Sequence, residues 1–313
     1  MGTPPSSVSA VNGGHLSAPL QAGADTSIVL SCAGATSYPR VVSLFGTVRT
    51  DSGERMSWED TARQAAEAGI DVLLEGEAAT LTLNRPDKRN SQTPEFWAAL
   101  AAIGAALPGT VRVVVLRAEG KSFSAGLDRS MFENFATFAA LSDDEVDRTI
   151  EGYQQAFTWW RRTDLITVAA VQGHAIGAGF QLALACDIRI AADDVLFCMK
   201  EPALGLVPDL AGTQPLVDAV GYSRALEIVA TARYVDAEEA LRIGLANHVV
   251  PREELHAAAA KLAADLLAAP RGAVTESKAL LRAAAGRPYD EQRAAERAAQ
   301  TRRFRDLAGT GES

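Results

Sequence analysis

Two carboxylates stand eight residues apart in KEPALGLVPDL, residues 200–210, among Ala, Leu, Val, Gly and two prolines. An apolar surrounding disfavours the charged form of a carboxyl group and brings it nearer to proton exchange at neutral pH. Pro202 and Pro208 prevent a continuous helix. The segment is therefore expected to be extended or looped, with Glu201 and Asp209 facing one pocket. Upstream lie two glycine-rich turns, GKSFSAGLD (120–128) and GHAIGAGFQ (173–181). Each follows a strand-like apolar run and leads into a helical pattern. Glycine lets backbone approach a ligand closely, and a helix start presents unpaired N–H groups. Two such turns that converge would aim two N–H donors at one oxygen, which is an oxyanion hole.

The turns fail the tests for nucleotide loops. Leu182 stands where a dinucleotide fingerprint needs its third glycine, and Val115 where a phosphate loop needs its first. Ser124 has no nearby His–Asp constellation, which argues against nucleophilic acyl transfer. His174, before the second turn, is expected to be packed or hydrogen-bonded rather than a base. Trp159, Trp160, Phe132, Phe135 and Phe138 lie on helical stretches and read as core, although MFENFATF (131–138) could border an acyl pocket.

The elements that must hold these residues follow from the apolar pattern. DVLLEGEAATLTLNRP alternates around Glu75-Gly76 as a hairpin does. VRVVVLRAEG, LITVAAVQG and IRIAA are near-continuous aliphatic runs, and helical patterns alternate with them. That combination predicts an α/β fold with a buried sheet. Ser57 is placed to cap a first helix, and Asp236 with Glu239 forms a capping pair further on. From 212 onward helices dominate. The expected organisation is a flexible extension over 1–55, a core over 56–255 and a helical C-terminal region over 256–313; Met56 is a possible alternative start.

Composition narrows the partners. The 313 residues carry a net charge of −9, with 30 basic residues scattered among 39 acidic ones. Phosphate backbones call for clustered Lys and Arg, so no nucleic-acid partner is expected. No apolar run reaches the roughly 18 residues of a membrane helix, and no secretory signal pattern opens the chain. The three cysteines, Cys32, Cys186 and Cys198, have no metal-ligand spacing, and their odd number suits a reduced, cytoplasmic protein.

Taken together, LNRPDKRN, GKSFSAGLD, VQGHAIGAGFQLALACDIRIAADD and GLVPDLAGTQPL resemble, in order and spacing, the crotonase (enoyl-CoA hydratase/isomerase) superfamily over about residues 70–285. The resemblance implies a crotonase-like spiral of ββα turns with a C-terminal helical oligomerisation region. It also implies homotrimers or hexamers and an acyl-CoA thioester substrate, with no separate cofactor and no metal. The oxyanion-hole amides would be those of Leu127 and Ala178. Ala125, Asp128 and Gly177 would flank the substrate, Lys88 and Arg89 would meet the nucleotide end of CoA, and Lys278 would reach CoA across a subunit boundary.

Hydratases of this family carry two glutamates. The second falls on Glu201, but the first falls on Gln181, an amide that exchanges no protons near neutral pH. Asp209 resembles an aspartate of the dienoyl-CoA isomerases, eight residues beyond the shared glutamate. Monofunctional enoyl-CoA isomerases resemble this chain in relying on the glutamate. The chlorobenzoyl-CoA dehalogenases share an aspartate like Asp209 but place a tryptophan where Glu201 stands. The resulting expectation is a C=C shift by carboxylate proton transfer. Its rivals are hydration of a 2-enoyl-CoA and a non-catalytic acyl-CoA-binding homologue.

Overall fold

The computed structural model describes residues 56–309, without the side chains of 132–136. The expected extension over 1–55, and the parts played by Phe132 and Phe135, lie outside the described residues. Helix α1 (Trp58–Glu67) opens the description, and the Ser57 hydroxyl accepts from the Asp60 N–H as its cap. Strands β1 (Ile70–Glu75) and β2 (Ala78–Leu83) form the expected hairpin, followed by α2 (Pro94–Ala106) and β3 (Val113–Ala118). Next come the short α3 (Phe135–Phe138), the long α4 (Asp143–Thr158), β4 (Ile166–Val171) and β5 (His174–Ile176). Helix α5 (Ala178–Ala185), β6 (Ile188–Ala192), β7 (Leu196–Cys198), α6 (Thr213–Val220) and α7 (Tyr222–Thr231) continue the alternation. The chain closes with β8 (Val235–Asp236), α8 (Ala237–Arg242), β9 (His248–Val250), α9 (Leu255–Ala268), α10 (Arg271–Ala284) and α11 (Tyr289–Leu307).

The strands form two sheets. The larger runs β1-β2-β3-β4-β6-β9, parallel beyond the first hairpin, and the smaller runs β5-β7-β8. Successive turns of chain add one strand to each sheet and then a helix: β4, β5 and α5, followed by β6, β7 and α6. This is the anticipated ββα spiral.

The aliphatic runs read as strands because the large sheet is buried on both faces. Val114 and Leu116 of β3, with Ala169 and Val171 of β4, join the main core under α2, α4 and α5. Their alternates Val113, Val115, Val168 and Ala170 join a second core under α9, to which that helix gives Leu255, Ala259 and Ala263. Those three positions repeat every four residues, which is one face of a helix. Helix α9 is thus a layer of the core, whereas α10 and α11 bury little: Lys278 in one and Ala299 in the other. Leu281, Tyr289, Phe304 and Leu307 of that hairpin are exposed. Asp236 caps α8 through the Glu239 N–H, as its spacing predicts. The stacked Trp159–Trp160 pair and the buried Trp160 are core, also as read.

The first glycine turn departs from expectation. It leads into a 3-10 helix, Arg129–Asn134, rather than an α-helix. Whatever its amides bind, they do so as loop donors and not as a helix N-terminus.

Candidate active site

Strand register brings the two glycine turns and the first acid together. Ser124 bridges Ala175 in parallel, and Ala175 of β5 pairs with Phe197 of β7. Three residues beyond these stacked positions lie Leu127, Ala178 and Lys200, and Glu201 follows at once. The turns are therefore piled one above another, with the acid at the end of the pile.

Close approach requires glycine at two places. Gly126 has φ +84°, and a Cβ there would run into the Ile176 carbonyl and sit 3.5 Å from the Ala178 nitrogen. Gly177 has φ +50° and ψ −118°, and a Cβ there would lie 3.2 Å from Glu201 Oε1. Both backbones occupy regions that L side chains rarely adopt. Among the described residues, neither the Leu127 N–H nor the Ala178 N–H has a hydrogen-bond acceptor. Gln92 pairs with the loop on either side of Leu127, accepting from Asp128 N and donating to the Gly126 carbonyl, and so leaves the Leu127 amide free.

A polar chain that sequence reasoning missed holds this loop from behind. The buried Ser124 hydroxyl donates to the Asn90 carbonyl at 2.7 Å, and it accepts from Gly126 N at 3.2 Å and Gln92 Nε2 at 3.1 Å. Gln92 Oε1 accepts in turn from Trp97 Nε1 at 2.8 Å. Asn90, at φ +52°, ties together the segments that follow β2 and β3 by donating to the carbonyls of Glu119 and Ser122 and accepting from Arg85 N. A signal was present in the Arg89-Asn90 pair, since Asn tolerates positive φ, but its partners are remote in sequence.

The acid segment contains a 3-10 turn, Glu201–Leu204, and then a loop to α6. Glu201 makes no ion pair among the described residues. Its Oε1 accepts from Gln181 Nε2 at 2.7 Å, while its Oε2 is buried without a partner. Gln181 is fully buried, and its Oε1 accepts from Leu210 N at 3.0 Å and Gly212 N at 3.2 Å. Two N–H groups against one end of the amide fix which end is oxygen.

Burial pushes the Glu201 carboxyl above its ordinary range, and the charge of Asp209 adds to the rise. Burial likewise raises Asp209. The Asp209 main chain is anchored to α4, its carbonyl accepting from Gln154 Nε2 at 2.7 Å. Tyr153, packed at a tilt against Trp97 with ring centres 4.7 Å apart, has its hydroxyl raised by burial, then by Glu95 and Asp209. Helix α6 begins at Gly212 with no side-chain cap, so Asp209 is not spent as a helix cap.

Other expected ligands are elsewhere or otherwise engaged. Lys88 and Arg89 are exposed after the first hairpin, and the Arg89 carbonyl accepts from Ala125 N at 2.9 Å, beside the loop. Asp128 is committed to structure. It accepts from the Ser91 hydroxyl at 2.6 Å and from Ser130 N and Oγ, bonds that hold its carboxyl low. Lys278, expected to reach CoA across a subunit boundary, has its charge engaged within the fold. It is buried within its own chain, donating to Asp187 Oδ2 at 2.7 Å and to the Leu165 carbonyl at 2.8 Å. Extension toward a ligand would take this charge away from Asp187. His174 is exposed and faces a separate cleft of about 600 Å³ that Arg89, Lys121, Ser122, Asp194 and Arg252 also line, not the acids.

Among the described residues no helix is long and apolar enough to cross a membrane, and no cluster of His, Cys, Asp or Glu could hold a metal.

The geometry, with two free amides beside a buried acid in a ββα spiral, invites comparison with known proteins. The sequence profile described as "Enoyl-CoA hydratase/isomerase" matches residues 75–308. A protein of Mycobacterium tuberculosis named "Probable enoyl-CoA hydratase EchA14" is 39% identical over 216 residues, 68% of this chain and 81% of that one. The crotonyl-CoA hydratase of Syntrophomonas wolfei is 34% identical over 218 residues, 66% of this chain and 80% of that one. Among solved structures, a Thermobifida fusca protein in complex with acetoacetyl-CoA is 48% identical. It has a TM-score of 0.75 and covers 78% of this chain and 98% of its own. Profile, sequence relatives and fold agree with the stacked glycine turns: the chain belongs to the enoyl-CoA hydratase/isomerase family.

Proposed function

We propose that this protein shifts a C=C bond of an unsaturated acyl-CoA, with Glu201 as the proton-transferring group. The observation that carries the reading is the state of Glu201. One oxygen is held, the other is buried and unpartnered, and the residue touches the turn that presents the Ala178 amide. Leu127 N–H and Ala178 N–H donate to the thioester oxygen. Removing a proton from the carbon beside that carbonyl places negative charge on the oxygen, and each preorganised donor is worth about 3 kcal/mol there. Glu201 Oε2 takes the proton at C2 of a 3-enoyl-CoA, the π electrons delocalise through the dienolate, and a proton returns at C4. Nothing is gained or lost overall. Asp209, raised by burial and close enough to influence Glu201, serves as the second carboxyl along the chain.

The names of the relatives favour a second reading, hydration of a 2-enoyl-CoA. Gln181 weakens it. Its oxygen is filled by two main-chain N–H groups and its nitrogen is bonded to Glu201, it exchanges no protons near neutral pH, and hydration shares its work between two proton-exchanging groups. The bound acyl-CoA of the Thermobifida fusca relative supports a CoA thioester as ligand of this chain. The exposed apolar side chains of α10 and α11, with Leu204 and Val207 of the acid segment, support a homotrimer or hexamer; the cytoplasm is its proposed site.

The test is spectroscopic. A 3-enoyl-CoA offered to the enzyme should give rising absorbance of the conjugated thioester. A 2-enoyl-CoA offered instead should lose it slowly or not at all. Rapid hydration that survives Asp209→Asn would overturn the isomerase reading.

A further inference from the structure

Glu201 and Asp209 sit on a loop with few bonds of its own. The run from Ala203 to Val207 is exposed, and Val207 is 72% accessible. A proton-transferring pair on such a loop needs an anchor. The anchor comes from the middle of α5, the most completely buried helix among the described residues, all eight of whose residues are buried. Gln181 reaches from it in two directions at once.

We propose that Gln181 is the positioning residue of this site, fixing Glu201 by its amide N–H and the Asp209 loop by its amide oxygen, so that Glu201 exchanges protons with substrate through Oε2 and not through Oε1. The inference rests on the proposed proton-transfer function and adds which atom does the work.

Three observations carry it. The first is the bonding pattern, in which Nε2 donates to Glu201 Oε1 at 2.7 Å and Oε1 receives Leu210 N and Gly212 N. The second is backbone strain between those two amides. Ala211 lies at φ +61°, a left-handed conformation that is unfavourable for a non-glycine residue. The reversal at Ala211 turns the N–H groups on either side toward one acceptor, the concave donor arrangement that suits an oxygen. The third is the fit. A Cβ on Gly212 would lie 2.7 Å from Gln181 Cγ, so loop and side chain are already in contact. With Oε1 of Glu201 occupied, its unpartnered Oε2 is the oxygen left for substrate.

The groups that face Glu201 are few. Asp209 and the Cys198 thiol are the titratable neighbours whose charges couple to it, and Lys200 is adjacent in sequence. Helix α5 offers no titratable side chain. Helix α7, packed against the 3-10 turn, carries the exposed Tyr222, Arg224 and Glu227, and Glu227 is paired with Arg233.

The experiment compares Gln181→Glu and Gln181→Met with the wild type. Glu keeps the shape and the two main-chain bonds but sets a second carboxyl against Glu201, so the pair must share a proton. The expected result is a rise of at least one unit in the Glu201 titration midpoint, read by carbon-13 NMR of labelled glutamate carboxyls and assigned with Glu201→Gln. The ascending limb of kcat/KM against pH should move with it. Gln181→Met should lower kcat at least tenfold on a 3-enoyl-CoA while KM changes less than threefold. An unmoved Glu201 titration in Gln181→Glu, or Gln181→Met turning over like wild type, overturns the inference. A titration that moves in a protein whose wild type isomerises nothing sinks the functional reading and leaves the assignment of Gln181 intact.

Discussion

Two buried charged groups in this chain have opposite fates. Lys278 is paired: it meets Asp187 at 2.7 Å and the Leu165 carbonyl at 2.8 Å, and Asp187 itself accepts from Thr167 N and Oγ1. Glu201 is half satisfied, with Gln181 on one oxygen and nothing on the other. Burying a polar atom without a partner costs a few kcal/mol and is tolerated where something else repays it. The ion pair ties the outer helix α10 to the sheet. The half-satisfied acid leaves one oxygen for the proposed proton transfer. Both residues resemble family positions that meet substrate, yet one is held in an ion pair and the other keeps an unpartnered oxygen.

Each half of that contrast can be broken separately. The largest effect is expected from Glu201→Gln, which should lower isomerisation of a 3-enoyl-CoA by about 10³-fold, within the range of a lost general base. The same substitution should leave folding intact and add stability at neutral pH. A carboxyl with a raised pKa binds its proton more tightly when folded, so it costs stability as pH rises from its unfolded value of 4.5 through the higher folded value. The advantage of Glu201→Gln should therefore vanish at pH 4 and grow toward pH 7, as followed by thermal melts across that range.

Lys278→Met should do the reverse. It strands Asp187, and urea unfolding should show a loss of about 3 kcal/mol, while turnover and CoA affinity of the folded protein stay within twofold of wild type. A collapse of CoA affinity in a stable Lys278→Met protein would restore the lysine as a ligand.

Asp209→Asn is expected to reduce isomerisation about tenfold. It also removes a charge that holds Glu201 up, so the ascending limb of kcat/KM should move to lower pH. A limb that stays in place would separate the two acids. The smallest effect belongs to His174→Ala. Its side chain points into the other cleft, so kcat should change less than twofold in the same assay.

Much of the fold could be read before any coordinates. Aliphatic runs with both faces buried, a hairpin about Glu75-Gly76 and the caps Ser57 and Asp236 depend on local pattern, and local pattern is written in order along the chain. The two glycine turns and the acids were legible for the same reason, as short motifs with a chemical purpose. The polar chain through Trp97, Gln92, Ser124 and Asn90 was not legible, because its bonds join residues up to 34 apart. Nor was the 3-10 helix after Leu127, since the sequence pattern distinguishes helical from extended but not one helical pitch from another.

Residue types alone determined that acids, amides and small residues would gather, because glycine backbone freedom and carboxyl chemistry are properties of the residue. Which amide end of Gln181 meets which neighbour, which oxygen of Glu201 stays bare and where Lys278 spends its charge were decided only by the tertiary structure. Hydrogen bonds are geometric, and strand register set their partners: Ser124 beside Ala175 and Ala175 beside Phe197 fix what lies three residues on. A single-residue slip in that register would give the same composition and no site.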